Sequence, residues 1–332
     1  MKILGTFLQR YGVLAAFLLL FAWNAFRDPG VFLQPENLRN LVNQNVGVGI
    51  IAIGMTLVII TGGIDLSVGS MLALAAALGI TALNKTISLG YGESVACAIA
   101  AVVSIASGTL MGAFNGLLVA YGRIAPFVAT LAGFAAYRSL CLALADGGEI
   151  RSQSTELFPS LVRGGIPLPL VNVSGGEPLM ITWGIILFLL AALLAGFILN
   201  YLPYGRHAIA TGSNERAAIY SAINIASTRW IAYTLLGFLT GIAAFTQASR
   251  MNSVASGSLG NLYELDAIAA VVIGGTSLRG GKGRIWGTVV GVLLLGIITN
   301  MLVVANVSVH WQGVVKGSVI LAAVLLQREQ KD

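Results

Sequence analysis

The sequence predicts an all-α, polytopic membrane protein with about ten transmembrane helices in two pseudo-symmetric halves. Three observations carry this. Of the 332 residues 57% are hydrophobic and only 10% charged, with a mean hydropathy of +0.87; soluble domains average about 25% charged. Apolar runs near bilayer-spanning length alternate with short polar breaks. Two of those breaks are rich in glycine: Gly62-Gly63-Ile64-Asp65-Leu66-Ser67-Val68-Gly69-Ser70, and Ile273-Gly274-Gly275-Thr276 through Gly283. Non-helical backbone at membrane depth must be satisfied inside the protein, and paired interruptions in two halves point to a permeation path.

A crossing helix needs about 20 mostly apolar residues. Candidates run near 11–27, 41–61, 64–83, 94–121, 124–145, 179–201, 229–249, 264–278, 285–305 and 310–327. The first follows Lys2 and Arg10 like a signal peptide, but it lacks a small-x-small cleavage site and is read as a retained helix. The eighth is short, ends in glycine and can be re-entrant. The 41 glycines suit closely packed spans. The whole chain, 1–332, reads as one membrane domain with a long outer loop at 146–178 and a long inner loop at 202–228. With the N-terminus inside, inner segments hold most of the 19 basic residues, among them Arg206, Arg216, Arg279, Lys282 and Arg284. Both termini are then cytoplasmic. The net charge of +6 follows from this bias and gives no reason to invoke nucleic acid.

The breaks are read through helix capping. Val58-Ile59-Ile60-Thr61-Gly62-Gly63 parallels Val271-Val272-Ile273-Gly274-Gly275, each leading through a polar linker into a new helix. Asp65 is placed to cap the helix that follows, accepting from the amides of Ser67 or Val68, with Gly69 beyond it. Glu264 and Asp266 are placed to cap the eighth span, or to bind a polyol at its outer mouth.

Within 202–228, Ser213 or Asn214 can cap a short helix starting at Glu215, with Ala217, Ala218, Ile219 and Ala222 giving it an apolar side. It is too short to span; it is either a linker on the membrane or a docking helix for a cytoplasmic partner. A polar path through the bundle would draw on Asn43, Gln44, Asn45, Asn115, Thr130 and Asn300, which can bond hydroxyls without charge; the alternative is helix–helix hydrogen bonding.

Several features carry no chemistry. Cys97 and Cys141 lie in apolar runs and read as buried hydrophobes. His207 and His310 are isolated, and no metal site is expected. Asn84, Asn172 and Asn306 match the glycosylation pattern, which is common by chance. Gly281-Lys282 mimics a phosphate-binding loop, but Thr276 stands where glycine is required and Gly283 where Ser or Thr is required.

Four ordered motifs together are specific. They are Gly54-Met55-Thr56-Leu57-Val58-Ile59-Ile60 through Gly69-Ser70; Phe127-Val128-Ala129-Thr130-Leu131-Ala132-Gly133; Gly205-Arg206 followed by Gly212-Ser213-Asn214-Glu215; and Tyr263-Glu264-Leu265-Asp266-Ala267-Ile268-Ala269 through Gly283. Over residues 40–326 the chain resembles the membrane permeases of bacterial ribose-type sugar ABC importers. The resemblance implies a permease subunit without its own ATPase site, paired with itself or a relative. It implies ATP-binding cassettes inside, carrying ATP and magnesium, and a periplasmic sugar-binding protein outside. It makes residues 212–222 the coupling helix, with Gly205, Gly212, Asn214, Glu215, Ala217 and Ala218 at the cassette contact. The family loop commonly begins Gly-Gly-Asn-Glu; here Ser213 replaces the second glycine, a change that keeps capping ability. Two rivals remain: an ion-coupled secondary transporter of a small polar solute, which would need buried acids, and an intramembrane enzyme, which would need a nucleophile and base or a metal set.

Overall fold

The computed structural model describes residues 2–172 and 178–326. Fourteen helices and four short strands follow in order among them: α1 (Lys2–Arg27), α2 (Pro29–Phe32), α3 (Pro35–Ile60), α4 (Val68–Ser88), α5 (Glu93–Ala120), α6 (Pro126–Leu144), β1 (Glu149–Arg151), α7 (Leu157–Arg163), β2 (Gly165–Asn172), β3 (Pro178–Thr182), α8 (Trp183–Tyr201), α9 (Pro203–Ser213), α10 (Glu215–Tyr220), α11 (Ile225–Met251), β4 (Ser253–Ala255), α12 (Tyr263–Ile273), α13 (Ile285–Val304) and α14 (Val309–Leu326). Among the described residues seven helices are long and apolar enough to cross a membrane: α3, α4, α5, α6, α8, α11 and α13.

Each of the ten anticipated spans corresponds to a helix, but α1 and α14 are not among these seven, and α12, the eighth, is too short to cross by itself. Helix α12 has 11 residues, about 16 Å at 1.5 Å per residue, roughly half the hydrocarbon thickness. Two expectations are corrected. The segment 202–228, expected as an inner loop with one short helix, is largely helical, because Pro203 opens α9 and its Gly205, Ala208 and Thr211 are buried. The segment between α6 and α8, expected as an outer loop, holds α7 and the antiparallel pair of β2 with β3, while β1 pairs antiparallel with β4.

Helix α3 sits at the centre. Every residue from Val46 to Ile60 is buried, as a helix ringed by others requires. The α5–α11 pair is the tightest. Gly108 and Gly112 on α5 face Gly237 and Gly241 on α11, four residues apart on each helix. A Cβ on Gly108 would stand 2.7 Å from both the Gly237 carbonyl and the Gly241 amide, so only glycine permits this backbone approach. By contrast, α5, α6 and α8 expose Leu110, Phe114, Phe127, Leu131, Leu193 and Phe197, side chains suited to lipid or another protein surface.

Candidate functional site: the helix-break hub and the α10 face

Both glycine breaks close their preceding helix in the same way. Gly62 donates to the Ile59 carbonyl at 2.9 Å and Gly63 to Val58 at 3.1 Å; Gly275 donates to Val272 at 2.8 Å and Thr276 to Val271 at 3.1 Å. Gly62 and Gly275 have φ of 84° and 89°, the left-handed C-terminal turn that glycine adopts without penalty. The sequence repeat therefore has a structural counterpart, aligned as Val58 with Val271 and Gly62 with Gly275.

The breaks also meet in space. The Gly281 amide donates to the Ile60 carbonyl, the last residue of α3, at 2.9 Å. Gly212, near the end of α9, packs onto the same spot: a Cβ there would overlap the Ile60 carbonyl and stand 2.5 Å from the Gly281 nitrogen. Four segments thus converge at one hub: the end of α3, the 274–284 linker, α9, and through Asn214 the start of α10. The phosphate-loop look-alike lies here. Its Gly281 amide is engaged by Ile60, Gly280 donates to Ser277 and Ser277 to Lys282, so these groups are committed within the fold.

Asp65 lies just beyond Gly62 and is fully buried. It is not the N-cap of α4; Ser67 holds that position without a side-chain cap bond. Instead Asp65 Oδ1 accepts from the Ser67 amide at 2.8 Å and the Ser67 hydroxyl at 2.6 Å, closing a local turn. Asn115 Nδ2 donates to Asp65 Oδ2 at 3.1 Å and to Ser67 Oγ at 2.8 Å, and Tyr137 donates to Asn115 Oδ1 at 2.9 Å. Tyr233 adds a bond to the Ile64 carbonyl at 3.2 Å. The expected bond from the Ser67 amide is therefore present, but the N-cap position itself belongs to Ser67, and the buried carboxylate is satisfied by three donors from two directions rather than by one helix end alone. Gly69 abuts the Gly260 carbonyl so closely that a Cβ there could not be accommodated.

Glu264 and Asp266 also make no cap. The residue before α12 is Leu262, with φ of 64° and no side-chain bond. Both acids lie in the first turn, where the helix dipole favours them, but Asp266 reaches Lys316 of α14 at 3.0 Å, and Glu264 is buried with Oε2 unbonded. Gly274 packs against Gly287 and Gly291 packs on Ala270, holding α13 tightly on α12.

On the α10 side, Asn214 is the N-cap, its side chain accepting from the Ala217 amide at 3.1 Å. Glu215 pairs with Arg229 at the start of α11, at 2.9 Å. Ala218 is buried, whereas Ala217, Ile219 and Tyr220 are exposed. The anticipated apolar side is therefore split: Ala218 faces the protein and Ala217 and Ile219 face out. Gly205 packs on the Leu199 carbonyl and Gly212 on the hub, so these two glycines support the face rather than present it. Beside it opens a cleft of about 780 Å³ between the end of α5, the 123–126 link and α10, with Arg123, Glu215 and Arg229 on its walls.

The six candidate path residues are dispersed. Asn115 belongs to the Asp65 network. Thr130 is buried and bonds back to the Pro126 carbonyl. Asn45 bonds back to Leu41, and Asn300 forms a reciprocal amide pair with Asn37, at 2.8 Å in one direction. Asn43 accepts from Thr182, and Gln44 is exposed. Asn84 has both amide atoms engaged, to the Arg151 carbonyl and the Gln153 amide. The side chains of Asn172 and His310 lie outside the described residues. Among those described, no cluster of three or more His, Cys, Asp or Glu could hold a metal. Sequence reasoning missed α9, Arg229, Tyr137 and Tyr233, none of which sits in a periodic or motif context that marks it.

A sequence profile described as "Branched-chain amino acid transport system / permease component" matches residues 37–324, most of the chain. The chain belongs to this permease family. Similar members include the ribose import permease protein RbsC of Bacillus subtilis (strain 168), 41% identical over 303 residues, covering 90% of this chain and 87% of that protein. The RbsC of Escherichia coli (strain K12) is 38% identical over 318 residues, 96% and 93% of the two chains. The xylose transport system permease protein XylH of Haemophilus influenzae is 31% identical over 378 residues, 99% of each. No solved structure gives a significant match. For this permease, the expected resemblance to sugar permeases thus agrees with its relatives, which share nearly its full length.

Proposed function

We propose that this permease is the transmembrane subunit of an ABC importer that carries a monosaccharide of the ribose or xylose kind into the cell. Cytoplasmic ATP-binding cassettes hydrolyse ATP with magnesium, a periplasmic sugar-binding protein delivers the solute, and a second permease copy or paralogue completes the path. The protein sits in a bacterial inner membrane with both termini cytoplasmic. The exposed apolar faces of α5, α6 and α8 meet lipid or the second permease.

One observation supports this reading best. The short helix α10 is capped by Asn214, clamped by Glu215 to Arg229, and joined through Gly212 to the hub where both glycine breaks meet. A force applied at Ala217, Ile219 and Tyr220 is thereby delivered to the Ile60 end of α3 and to the linker after α12. An importer driven from outside the membrane needs such a rigid handle, because each state is favoured only by differential contacts with its partners. In this arrangement, the cassettes' change of shape pushes on α10, and the breaks redistribute the movement among α3, α4, α12 and α13.

The test is reconstitution in liposomes with the cognate cassette and sugar-binding protein, scoring uptake of labelled ribose and xylose. ATP-dependent uptake that requires both partners is the expected outcome. Uptake by the permease alone, driven by a proton or sodium gradient, would replace this reading with a secondary transporter.

A further inference from the structure

Consecutive residues of α6 reach the starts of two helices. Tyr137 bonds to Asn115 in the Asp65 network, before α4. Arg138 donates from Nη1 to the carbonyls of Ser256 and Leu259, at 2.8 and 2.9 Å, in the turn that leads into α12. The same turn meets α4 at Gly69 and Gly260, which approach so closely that neither has room for a Cβ; one on Gly69 would also stand 2.8 Å from Glu264 Oε2. Around this junction three buried side-chain atoms have no hydrogen-bond partner: Arg138 Nη2, Glu264 Oε2 and, next to Gly69, Ser70 Oγ. Glu264 is only 8% exposed and Ser70 is fully buried. Arg138 is half-buried, on a helix that exposes Phe127 and Leu131. Arg138 and Glu264 lie within reach of each other's charge, yet these two atoms stay open. Buried polar atoms without partners cost stability, and folds retain such a cost chiefly at functional sites. The depth is also informative. Glu264 stands in the first turn of α12, a helix about half the hydrocarbon thickness long, whose other end joins the hub at the end of α3. The junction therefore lies near the middle of the membrane.

Resting on the importer reading above, we propose that Arg138, Glu264 and Ser70 form a mid-membrane contact for hydroxyl groups of the passing sugar. A hydroxyl both donates and accepts. It donates to Glu264 Oε2 and accepts from Arg138 Nη2, satisfying both open atoms at once, and Ser70 Oγ serves a neighbouring hydroxyl. The Arg138–Glu264 pair carries no net charge. A neutral polyol gains both bonds, whereas an anion is repelled by Glu264 and a cation by Arg138, so the contact discriminates by repulsion as well as attraction. A position near the midplane beside a discontinuous helix is where transporters of other folds hold their solutes. The contact offers few bonds, which suits a solute that has to leave again.

The experiment uses the full permease–cassette complex in liposomes, with the sugar-binding protein supplied in excess and loaded with sugar. Glu264→Gln is the principal variant, since it keeps the shape and removes the charge. Ser70→Ala is the milder one, since it removes only the open hydroxyl. Neither should lower the melting temperature of the complex, because each replaces a group that has no partner in the fold. Ribose uptake should fall about tenfold for Glu264→Gln, as for a lost hydrogen bond to a charged group, and less for Ser70→Ala. The same measurement is then made with the monodeoxy analogues of ribose, each lacking one hydroxyl. One analogue should cross the native complex about as slowly as ribose crosses Glu264→Gln, and should lose little more in that variant. Ribose uptake equal in the native complex and both variants would overturn the proposal, leaving only water at the junction. So would a loss of the same size for ribose and every analogue, since Glu264 would then serve the movement of α12 and not the solute. A melting temperature that falls in step with uptake would equally overturn it, as for a purely structural pair. A native complex that takes up no sugar with ATP and the delivery protein would instead bring down the importer reading, and this contact with it.

Discussion

The amide of Gly281 donates to the carbonyl of Ile60 across 221 positions of sequence, at 2.9 Å. This bond ties the linker after α12 to the end of α3, and Gly212 of α9 closes over it. The hub is built from backbone, so it tolerates no side chain at its centre.

Gly212→Ala should therefore be far worse than its size suggests. The added methyl would overlap the Ile60 carbonyl, and relieving that overlap by moving backbone costs roughly 1–3 kcal/mol. The expected outcome is a lower melting temperature in detergent and lost uptake. Gly196→Ala, in α8, is the control: nothing lies within 4 Å of its Cβ, and it should be neutral or slightly stabilising through helix propensity. Equal behaviour of the two variants would show that the hub is not tightly packed.

Much of this was legible in the sequence because it is local. The ten helices follow from apolar run length, and the two breaks from Gly62-Gly63 and Gly274-Gly275, where a left-handed turn is needed. A cap of α10 at Ser213 or Asn214 also follows from their position before Glu215, and the structure places it at Asn214. What was not legible is long-range. Asp65 looks like a helix cap because its neighbours in sequence offer amides; its other partner, Asn115, is 50 positions away on α5. The partner of Asn300, Asn37, is likewise 263 positions away on α3. Helix α9 was hidden because Pro203, Gly205 and Gly212 read as loop residues, yet the glycines are there to let the helix touch its neighbours.

The Asp65–Asn115 pair makes a specific prediction. Asp65→Asn places an amide nitrogen against the Asn115 nitrogen unless Asn115 turns over, which sacrifices its bond to Ser67. A cost of about 1–3 kcal/mol follows from one buried polar group left unsatisfied. Adding Asn115→Asp should recover most of it by exchanging the acceptor between the two positions. Asp65→Leu should remove folded protein altogether. Thermal unfolding of the purified variants measures all three, and a double variant no better than Asp65→Asn would show that the pair is not coupled.

Asp266 and Lys316 link α12 to α14 at 3.0 Å, each side chain mostly withdrawn from solvent. Removing one charge strands the other. Lys316→Met should destabilise more than Lys316→Met with Asp266→Asn, since the second change removes the unpaired carboxylate. The interaction term from this cycle should be at least about 0.5 kcal/mol. Strict additivity in the cycle would reduce the contact to a surface pair.

The α10 face separates a working handle from a linker. Ala217 is exposed beside the cleft, so Ala217→Trp should leave membrane insertion and thermal stability intact. It should abolish uptake and reduce recovery of the cassette with the permease, because a ring then stands where close approach is required. Glu215→Lys sets a second positive charge against Arg229 and removes an acid from the first turn; loss of the pair itself accounts for at most about 1 kcal/mol, so folding survives while the angle of α10 changes. Asn214→Ala should be milder than either, losing a cap worth about 1 kcal/mol. Uptake in liposomes and co-purification of the cassette give independent readings. Normal values of both for Ala217→Trp and Glu215→Lys would mean that α10 touches no cassette, and the drive would have to enter the hub from elsewhere.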